Sequence, residues 1–192
     1  MTLFYTIGHS TRSLDELAAL LHASGVRLVC DVRSIPRSRR NPQYDAATLP
    51  DALAGRQLGY ARIPALGGRR GRRRDEGPSP NGYWRVAGFR NYADYALTPE
   101  FAAGLAELRA LGARQLTAIM CAEAVWWRCH RRIITDYLLA GGDHVRHILG
   151  PDHVDEAEMT PGAVVTADGH VLYPPPASGA VSPDDRPEEE PS

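Results

Sequence analysis

Apolar runs alternate with amphipathic stretches through the first 150 residues, and this alternation predicts strands joined by helices. The short apolar runs that predict strands are Leu3–Ile7, Val26–Cys30, Tyr60–Ile63, Leu116–Met120 and Val145–Leu149. The helices are predicted between Ser13 and Gly25, between Thr48 and Gly59, and over Phe89–Leu97, Phe101–Leu111 and 129–140. The order βαβαβααβαβ favours a largely parallel sheet with helices on its faces. We therefore expect an α/β domain of three layers, Rossmann-like in architecture, over residues 1–150.

The remaining residues have a different pattern. The stretch Val164–Tyr173 is apolar on both sides of Asp168-Gly169, a dipeptide typical of tight turns. It predicts a small hairpin within a C-terminal extension over residues 151–173. Pro, Ser and acidic residues dominate residues 174–192, and this composition predicts a disordered acidic tail.

Composition places the chain among globular proteins, since 43% of its 192 residues are hydrophobic. No apolar run approaches the roughly 18 residues that span a bilayer, and the N-terminus lacks the features of a signal peptide. The three cysteines, Cys30, Cys121 and Cys129, are an odd number, which favours reduced thiols over a disulfide framework. We therefore expect a cytoplasmic protein with no membrane partner.

Charge is distributed unevenly although the net charge is only -1. Residues 1–149 hold 21 Arg against 13 acidic residues, whereas residues 150–192 hold one Arg against ten. The chain contains no Lys, and the segment from Arg33 to Arg74 alone carries eleven Arg. This segment predicts a surface that binds the phosphates of a nucleotide or nucleic acid. The alternative is a solvated loop that happens to be rich in Arg.

Three polar clusters each follow a predicted strand directly: Gly8-His9-Ser10, Asp31-Val32-Arg33 and Cys121–Glu123. The carboxyl ends of parallel strands lie at one edge of a sheet, and ligands of open α/β sheets bind there. We expect the three clusters to meet in one cleft, provided that the strand order keeps the first, second and fourth strands together. Helix N-termini behind two of the clusters favour an anionic ligand.

The cluster at Cys121 contains the most reactive side chains. A thiol at a strand end near Arg128 and Arg131 is expected to have a lowered pKa, which would make Cys121 a nucleophile. A buried thiol that only packs is the alternative, and six residues between Cys121 and Arg128 are one too many for the tyrosine-phosphatase pattern. Glu123 lies in a mostly apolar loop, where its carboxyl group could act as acid or base. It could also simply form an ion pair with Arg33 or Arg131.

A zinc site is the lesser alternative, with Cys121, Cys129, His130 and His9 as possible ligands. No Cys-x-x-Cys motif is present, and neighbouring residues such as Cys129 and His130 diverge by about 100° on a helix. His130 also shares a helical face with apolar residues, so we interpret it as a core histidine.

The residues that follow Glu123 have further candidate roles. Trp126-Trp127 either stacks on a ligand or fills space between the loop and the sheet. Arg131 falls on a different helical face from His130 and could reach the cleft.

Several motifs together make the chain similar to the DUF488 family. The matching segments, in the family's order over residues 3–149, are Thr6–Ser10, Asp31–Ser38, Leu66-Gly67-Gly68, Phe89–Tyr95, Met120–Glu123 and Cys129-His130-Arg131. The resemblance implies a compact α/β protein and a connection with nucleic acid, including DNA repair. It implies no particular reaction, because the family has none that is settled.

Our first hypothesis is an enzyme that acts on a nucleotide or nucleic-acid substrate. The candidate catalytic residues are Glu123, Cys121 and His9, and the candidate binding residues are Ser10, Asp31, Arg33, Arg37, Arg131 and Trp127. The alternatives are a non-catalytic nucleic-acid-binding module that uses the Arg33–Arg74 segment, and a thiol, sulfur-transfer or zinc protein centred on Cys121. No cofactor is identified by the sequence.

Overall fold

A computed structural model describes residues 1–37, 39–71 and 77–176 of the chain. The strands in this part are β1 (Leu3–Gly8), β2 (Leu28–Asp31), β3 (Gly59–Arg62), β4 (Thr117–Cys121), β5 (His144–Gly150), β6 (His153–Glu156), β7 (Val164–Val165) and β8 (Val171–Leu172). The α-helices are α1 (Leu14–Ala23), α2 (Leu49–Ala54), α3 (Ala87–Tyr95), α4 (Pro99–Gly112) and α5 (Arg131–Ala140). Short 3-10 turns lie at Pro42–Tyr44, Pro64–Leu66 and Trp126–Arg128.

Six strands form one sheet in the order β3-β2-β4-β1-β5-β6. The first five are parallel to one another, and β6 runs antiparallel to β5 at the edge. The central strands β2 and β4 are buried along their whole length, as expected of parallel strands that are covered on both faces. The predicted α/β class with a mostly parallel sheet is confirmed.

Helices cover both faces of this sheet. On one face, Leu17 and Leu21 of α1 and Leu53 of α2 pack with Ile7 of β1 and Val29 of β2. On the other face, residues of α3, α4 and α5 share a second core with alternate residues of the same strands. The helices and the sheet between them are the three layers that the sequence predicts.

Neighbouring strands β1 and β4 mark the point where the chain changes direction across the sheet. After β1 the chain passes over one face through α1 to β2, and after β4 it passes over the other face through α5 to β5. The loops that leave β1 and β4 therefore run toward opposite faces of the sheet. Ligands of open α/β sheets bind at such a switch point, outside the carboxyl ends of the strands.

The start of α1 is fixed by the capping box that its sequence contains. The hydroxyl of Ser13 accepts a hydrogen bond from the Glu16 amide at 3.2 Å, and the Glu16 carboxylate accepts one from the Ser13 amide at 2.6 Å. These two bonds satisfy amide groups that the helix itself leaves unpaired. The loop that carries His9 and Ser10 thus ends at a defined residue.

The predicted C-terminal hairpin is formed by β7 and β8, with Gly169 in the left-handed region at a φ of 83°. It packs on the main body, because Tyr173 is buried in the second core and its hydroxyl donates a hydrogen bond to Asp136 at 2.8 Å. Strand β6 lies beyond the predicted domain boundary at residue 150 and continues the sheet. Residues 177–192 of the predicted tail lie outside the described residues.

Among the described helices, none combines the length and the apolar character that crossing a membrane requires.

Candidate functional site

A cleft of about 930 Å³ lies at the carboxyl edge of the sheet, above β1, β2 and β4. All three sequence clusters border it, since the strand order places β4 between β1 and β2. The pairing of β1 with β4 continues into their loops, where the His9 amide donates to the Cys121 carbonyl and the Ser10 amide donates to the Ala122 carbonyl. The walls contributed by His9 and Cys121 are therefore held in register by backbone hydrogen bonds.

The floor of the cleft contains a buried ion pair between Asp31 and Arg33. The Arg33 guanidinium contacts both carboxylate oxygens, and it also donates to the Tyr44 carbonyl at 2.8 Å. The Tyr60 hydroxyl donates to the Asp31 carboxylate at 2.8 Å. Burial opposes the charge of Arg33, but its hydrogen bonds to Asp31 outweigh that effect and raise the pKa of Arg33. Asp31 therefore serves here to hold Arg33 in place.

The ring of His9 is fixed between Tyr44 and Arg33. It stacks on Tyr44 with ring centroids 3.9 Å apart, and its Nδ1 lies 2.9 Å from the Ser10 carbonyl. Because a carbonyl only accepts, Nδ1 carries the proton, and Nε2 accepts from Arg33 at 3.3 Å. Burial, reinforced by the charge of Arg33, lowers the pKa of His9 to about 4. His9 is thus neutral near pH 7.

Residues 121–130 form a loop that passes directly over the end of β1. A Cβ atom on Gly8 would lie 1.8 Å from the Glu123 carbonyl oxygen, so only glycine allows the two backbones to approach this closely. Arg131 holds the loop from below, because its Nη2 donates to the same Glu123 carbonyl at 2.6 Å. Arg131 is only 1% exposed. The structure therefore assigns its guanidinium to the loop backbone and places it under the cleft.

Two thiols and one imidazole meet where this loop begins and ends. The Nδ1 atom of His130 lies 4.0 Å from the Cys121 sulfur and 3.6 Å from the Cys129 sulfur. The other ring nitrogen, Nε2, lies 3.1 Å from the Val32 carbonyl and donates to it. When His130 is neutral, its Nδ1 lone pair consequently faces both sulfur atoms. Together with the Arg131 Nε at 3.3 Å from Cys129, these groups form a compact sulfur and nitrogen cluster.

Ionisation of the two thiols is coupled, and the lowered pKa predicted for Cys121 is wrong in this arrangement. The hydrogen bond with Cys129 and burial both raise the pKa of Cys121 well above its ordinary value. Burial also opposes ionisation of Cys129, but the hydrogen bond from Cys121, reinforced by His130 and Arg131, outweighs it and lowers the pKa of Cys129. The first thiolate therefore forms at Cys129, and its negative charge keeps the proton on Cys121.

Comparison with known families identifies the type of chain. A family model described as a domain of unknown function, DUF488, matches residues 13–138, which is more than half of the sequence. The chain belongs to the DUF488 family. No curated protein and no solved structure matches it. The matched range of this DUF488 chain runs from the cap of α1 almost to the end of α5, so it includes the Asp31–Arg33 pair and the Cys121–His130 loop.

Three of the remaining predicted site residues of the DUF488 chain, Ser10, Arg37 and Glu123, line the cleft, whereas Trp127 is not among its lining residues. The side chains of Glu123 and Arg37 are exposed, and Ser10 adopts a left-handed backbone conformation with φ of 46°. Trp127 is 44% exposed on the same loop as Glu123. Its neighbour Trp126 stacks on the buried ring of His147 at 4.4 Å and fills space between the loop and the sheet. Trp126 therefore has the space-filling role that the sequence left open, and ligand stacking by Trp127 stays a prediction.

Other residues of the DUF488 chain border the cleft although the sequence gave them no individual role. Arg40 and Arg69 line it beside Arg37, and the backbone of Gly68 packs against the ring of His130. Two of these residues could have been found from the sequence, because Arg40 belongs to the basic run after β2 and Gly68 to a Gly-Gly pair. Periodicity alone does not show which members of a basic run face a cleft.

Proposed function

We propose that this DUF488 chain is an enzyme that binds a phosphate-bearing substrate, a nucleotide or a nucleic-acid strand, in the cleft above β1, β2 and β4. The observation that carries the proposal is the charge of the cleft. Five Arg side chains, Arg33, Arg37, Arg40, Arg69 and Arg128, line it, and Glu123 is the one carboxylate among the described lining residues. A cavity with this excess of positive charge attracts anions.

The three outer arginines are the groups that would contact phosphate. Arg37, Arg40 and Arg69 have exposed side chains, whereas Arg33 is already paired with Asp31. A guanidinium group binds two phosphate oxygens at once, which gives orientation as well as affinity. Arg131 has a different role in this proposal, because it positions the loop that carries Glu123.

Glu123 is the group we propose as the acid or base. It is exposed in the lining of the cleft, on a loop whose backbone is fixed by Gly8 and Arg131. His9 is a weaker candidate for proton transfer, since its Nε2 is occupied by Arg33 and its Nδ1 by the Ser10 carbonyl. The exposed indole of Trp127, next in the chain to the lining residue Arg128, offers a face on which a nucleobase that extends from the cleft can stack.

The partner and the location follow from the same proposal. The basic cleft favours nucleic acid over a neutral ligand, and DNA repair is the narrower role that requires DNA as the bound polymer. Three free, buried cysteines are consistent with the reducing cytoplasm. Competition between DNA and RNA oligonucleotides of one sequence tests which polymer is preferred.

Turnover tests the enzymatic part of the proposal. The purified chain is incubated with a panel of nucleotides, single strands and duplexes, and products are separated by mass spectrometry. Glu123→Gln is expected to reduce turnover by about 100-fold or more while binding persists, which is the range for loss of an acid or base. Glu158→Gln, which removes an exposed carboxylate outside the cleft lining, is the matched control.

Each outcome of this assay is informative. Loss of turnover in Glu123→Gln, with wild-type turnover in Glu158→Gln, supports the assignment. Tight binding without turnover of any substrate would instead indicate a non-catalytic nucleic-acid-binding module. Equal turnover in both variants would show that Glu123 is not the acid or base.

A further inference from the structure

Cys121, Cys129 and His130 place three metal-binding atoms around one point. Their ligand atoms, two Sγ and one Nδ1, all lie within 4.8 Å of one another. Thiolate and imidazole groups together are the ligands that zinc prefers, whereas magnesium and calcium prefer oxygen. We propose that these three residues bind a zinc ion at the base of the cleft.

The two sulfur-to-nitrogen distances are close to those of a tetrahedral zinc site. Zinc bonds of about 2.3 Å to sulfur and about 2.05 Å to nitrogen place the two ligand atoms about 3.6 Å apart at a tetrahedral angle. Cys129 Sγ and His130 Nδ1 are 3.6 Å apart, and Cys121 Sγ and the same nitrogen are 4.0 Å apart. Small side-chain rotations therefore suffice for all three atoms to reach one ion.

Groups around the ligands have the arrangement that metal sites require. The second ring nitrogen of His130 donates to the Val32 carbonyl, which fixes the tautomer so that Nδ1 is free to bind a metal. The Arg131 Nε donates to the Cys129 sulfur at 3.3 Å. A hydrogen bond from a buried guanidinium stabilises a sulfur ligand in its thiolate form.

Cys129 and His130 lie before α5 begins, so the divergence expected of adjacent residues on a helix does not apply to them. Cys129 has extended φ and ψ values of -127° and 146°, and His130 is the residue before α5 begins. Both side chains can therefore converge on Cys121.

Gly68 leaves room for the ring of His130. A Cβ at this position would lie 2.3, 2.6 and 2.8 Å from Nδ1, Cγ and Cε1 of His130. Such similar distances to three ring atoms place Gly68 over the face of the ring. The in-plane lone pair of Nδ1, which would bind the metal, points past it toward the sulfurs.

The proposed site is open on one side. Cys121, Cys129 and His130 all line the cleft, and the described residues supply three ligands. Zinc sites with three protein ligands keep the fourth position for water or substrate, whereas purely structural sites are closed by a fourth side chain. The site therefore belongs to the open type, and it does not depend on which substrate the cleft binds.

Metal analysis of the full chain tests this inference without any substrate. The protein is purified in reductant without chelator or added metal, and zinc is measured by mass spectrometry. The wild type is expected to hold about one zinc ion per chain, and Cys121→Ser and Cys129→Ser are expected to lose most of it. Cys30→Ala, which removes the third buried cysteine away from the cluster, is expected to keep it.

Cobalt provides a second measurement that needs no variant to fold. Replacement of zinc by Co²⁺ in the wild type is expected to give a thiolate-to-cobalt charge-transfer band and the visible spectrum of a tetrahedral ion. Absence of both metal and band, or wild-type zinc content in the two Ser variants, would overturn the proposal. A Cys121–Cys129 disulfide in protein purified anaerobically without added metal would overturn it as well.

Discussion

Asp31 and Arg33 form an ion pair in the protein interior although only one residue separates them in the chain. Their closest atoms, Oδ2 and Nη2, lie 2.6 Å apart, and the two residues are 0% and 5% exposed. The same guanidinium reaches the ring of His9, so one ion pair at the end of β2 orients a side chain at the end of β1. The positions of Arg33 and His9 at the floor of the cleft therefore depend on this ion pair.

Asp31→Asn is therefore expected to destabilise the fold strongly. The substitution leaves the buried charge of Arg33 without its counter-ion, and breaking such a pair typically costs about 3 to 5 kcal/mol. Asp15→Asn is the matched control, because the Asp15–Arg56 pair is also an Asp–Arg ion pair but its carboxylate is 84% exposed. We expect a loss of less than about 1 kcal/mol there. Urea unfolding measures both, and equal losses would contradict the role given to Asp31.

The close approach of the loop to β1 predicts that Gly8→Ala is destabilising. Its Cβ would collide with the backbone of residues 123 and 124, and relief of that collision must displace the loop. Overpacking of this kind costs about 1 to 3 kcal/mol or more. Gly88→Ala is the control, since no atom lies within 4 Å of its Cβ and alanine favours the helix α3. Thermal unfolding midpoints that fall equally in both variants would refute this contact.

Much of this arrangement could be predicted from the sequence because it depends on local patterns. Apolar runs identify the strands, and the parallel strand rule brings His9, Arg33 and Cys121 to one edge. Strand β6 could not be predicted in this way, because all four of its residues are exposed and carry no apolar alternation. Its place is set by pairing with β5, which is a tertiary interaction.

Contacts to backbone atoms explain most of what the sequence could not show. Arg131 was expected to reach the cleft, but its guanidinium binds a main-chain carbonyl of the loop, and no residue type signals that partner. The order in which Cys121 and Cys129 ionise depends on the hydrogen bond between the two thiols, reinforced by the positions of His130 and Arg131. Such an order follows from distances of a few ångströms, which spacing along the chain does not determine.

The buried ring of His147 predicts a specific dependence of stability on pH. Burial, with a smaller effect from the charge of Arg131, lowers the pKa of His147 from 6.5 to about 3. At pH values between these two pKa values, His147 is protonated in the unfolded chain but stays neutral in the folded chain. The part of the unfolding free energy that depends on neutral His147 is therefore complete above pH 6.5. It falls with decreasing pH, by up to about 1.4 kcal/mol per pH unit.

The comparison of wild type with His147→Gln isolates this effect from other titrating groups. Unfolding free energies are measured by urea denaturation from pH 7 to pH 4. The variant is expected to have lower stability at pH 7, because the hydrogen bond to Thr6 and the stacking on Trp126 change. Its stability should fall less steeply toward acid. Parallel curves for the two proteins would rule out His147 as the source.

Binding of a single-stranded oligonucleotide to charge-matched variants tests the central claim, a phosphate-binding cleft, most directly. Arg37→Gln/Arg69→Gln removes two charges from the cleft, and Arg27→Gln/Arg114→Gln removes two exposed charges elsewhere. Affinity is measured by fluorescence anisotropy over a range of salt concentrations. The cleft variant should bind about tenfold or more weakly, with a salt slope reduced by about 1 to 2, while the control resembles wild type. Equal loss of affinity in the two variants, or binding that is indifferent to salt, would contradict the account.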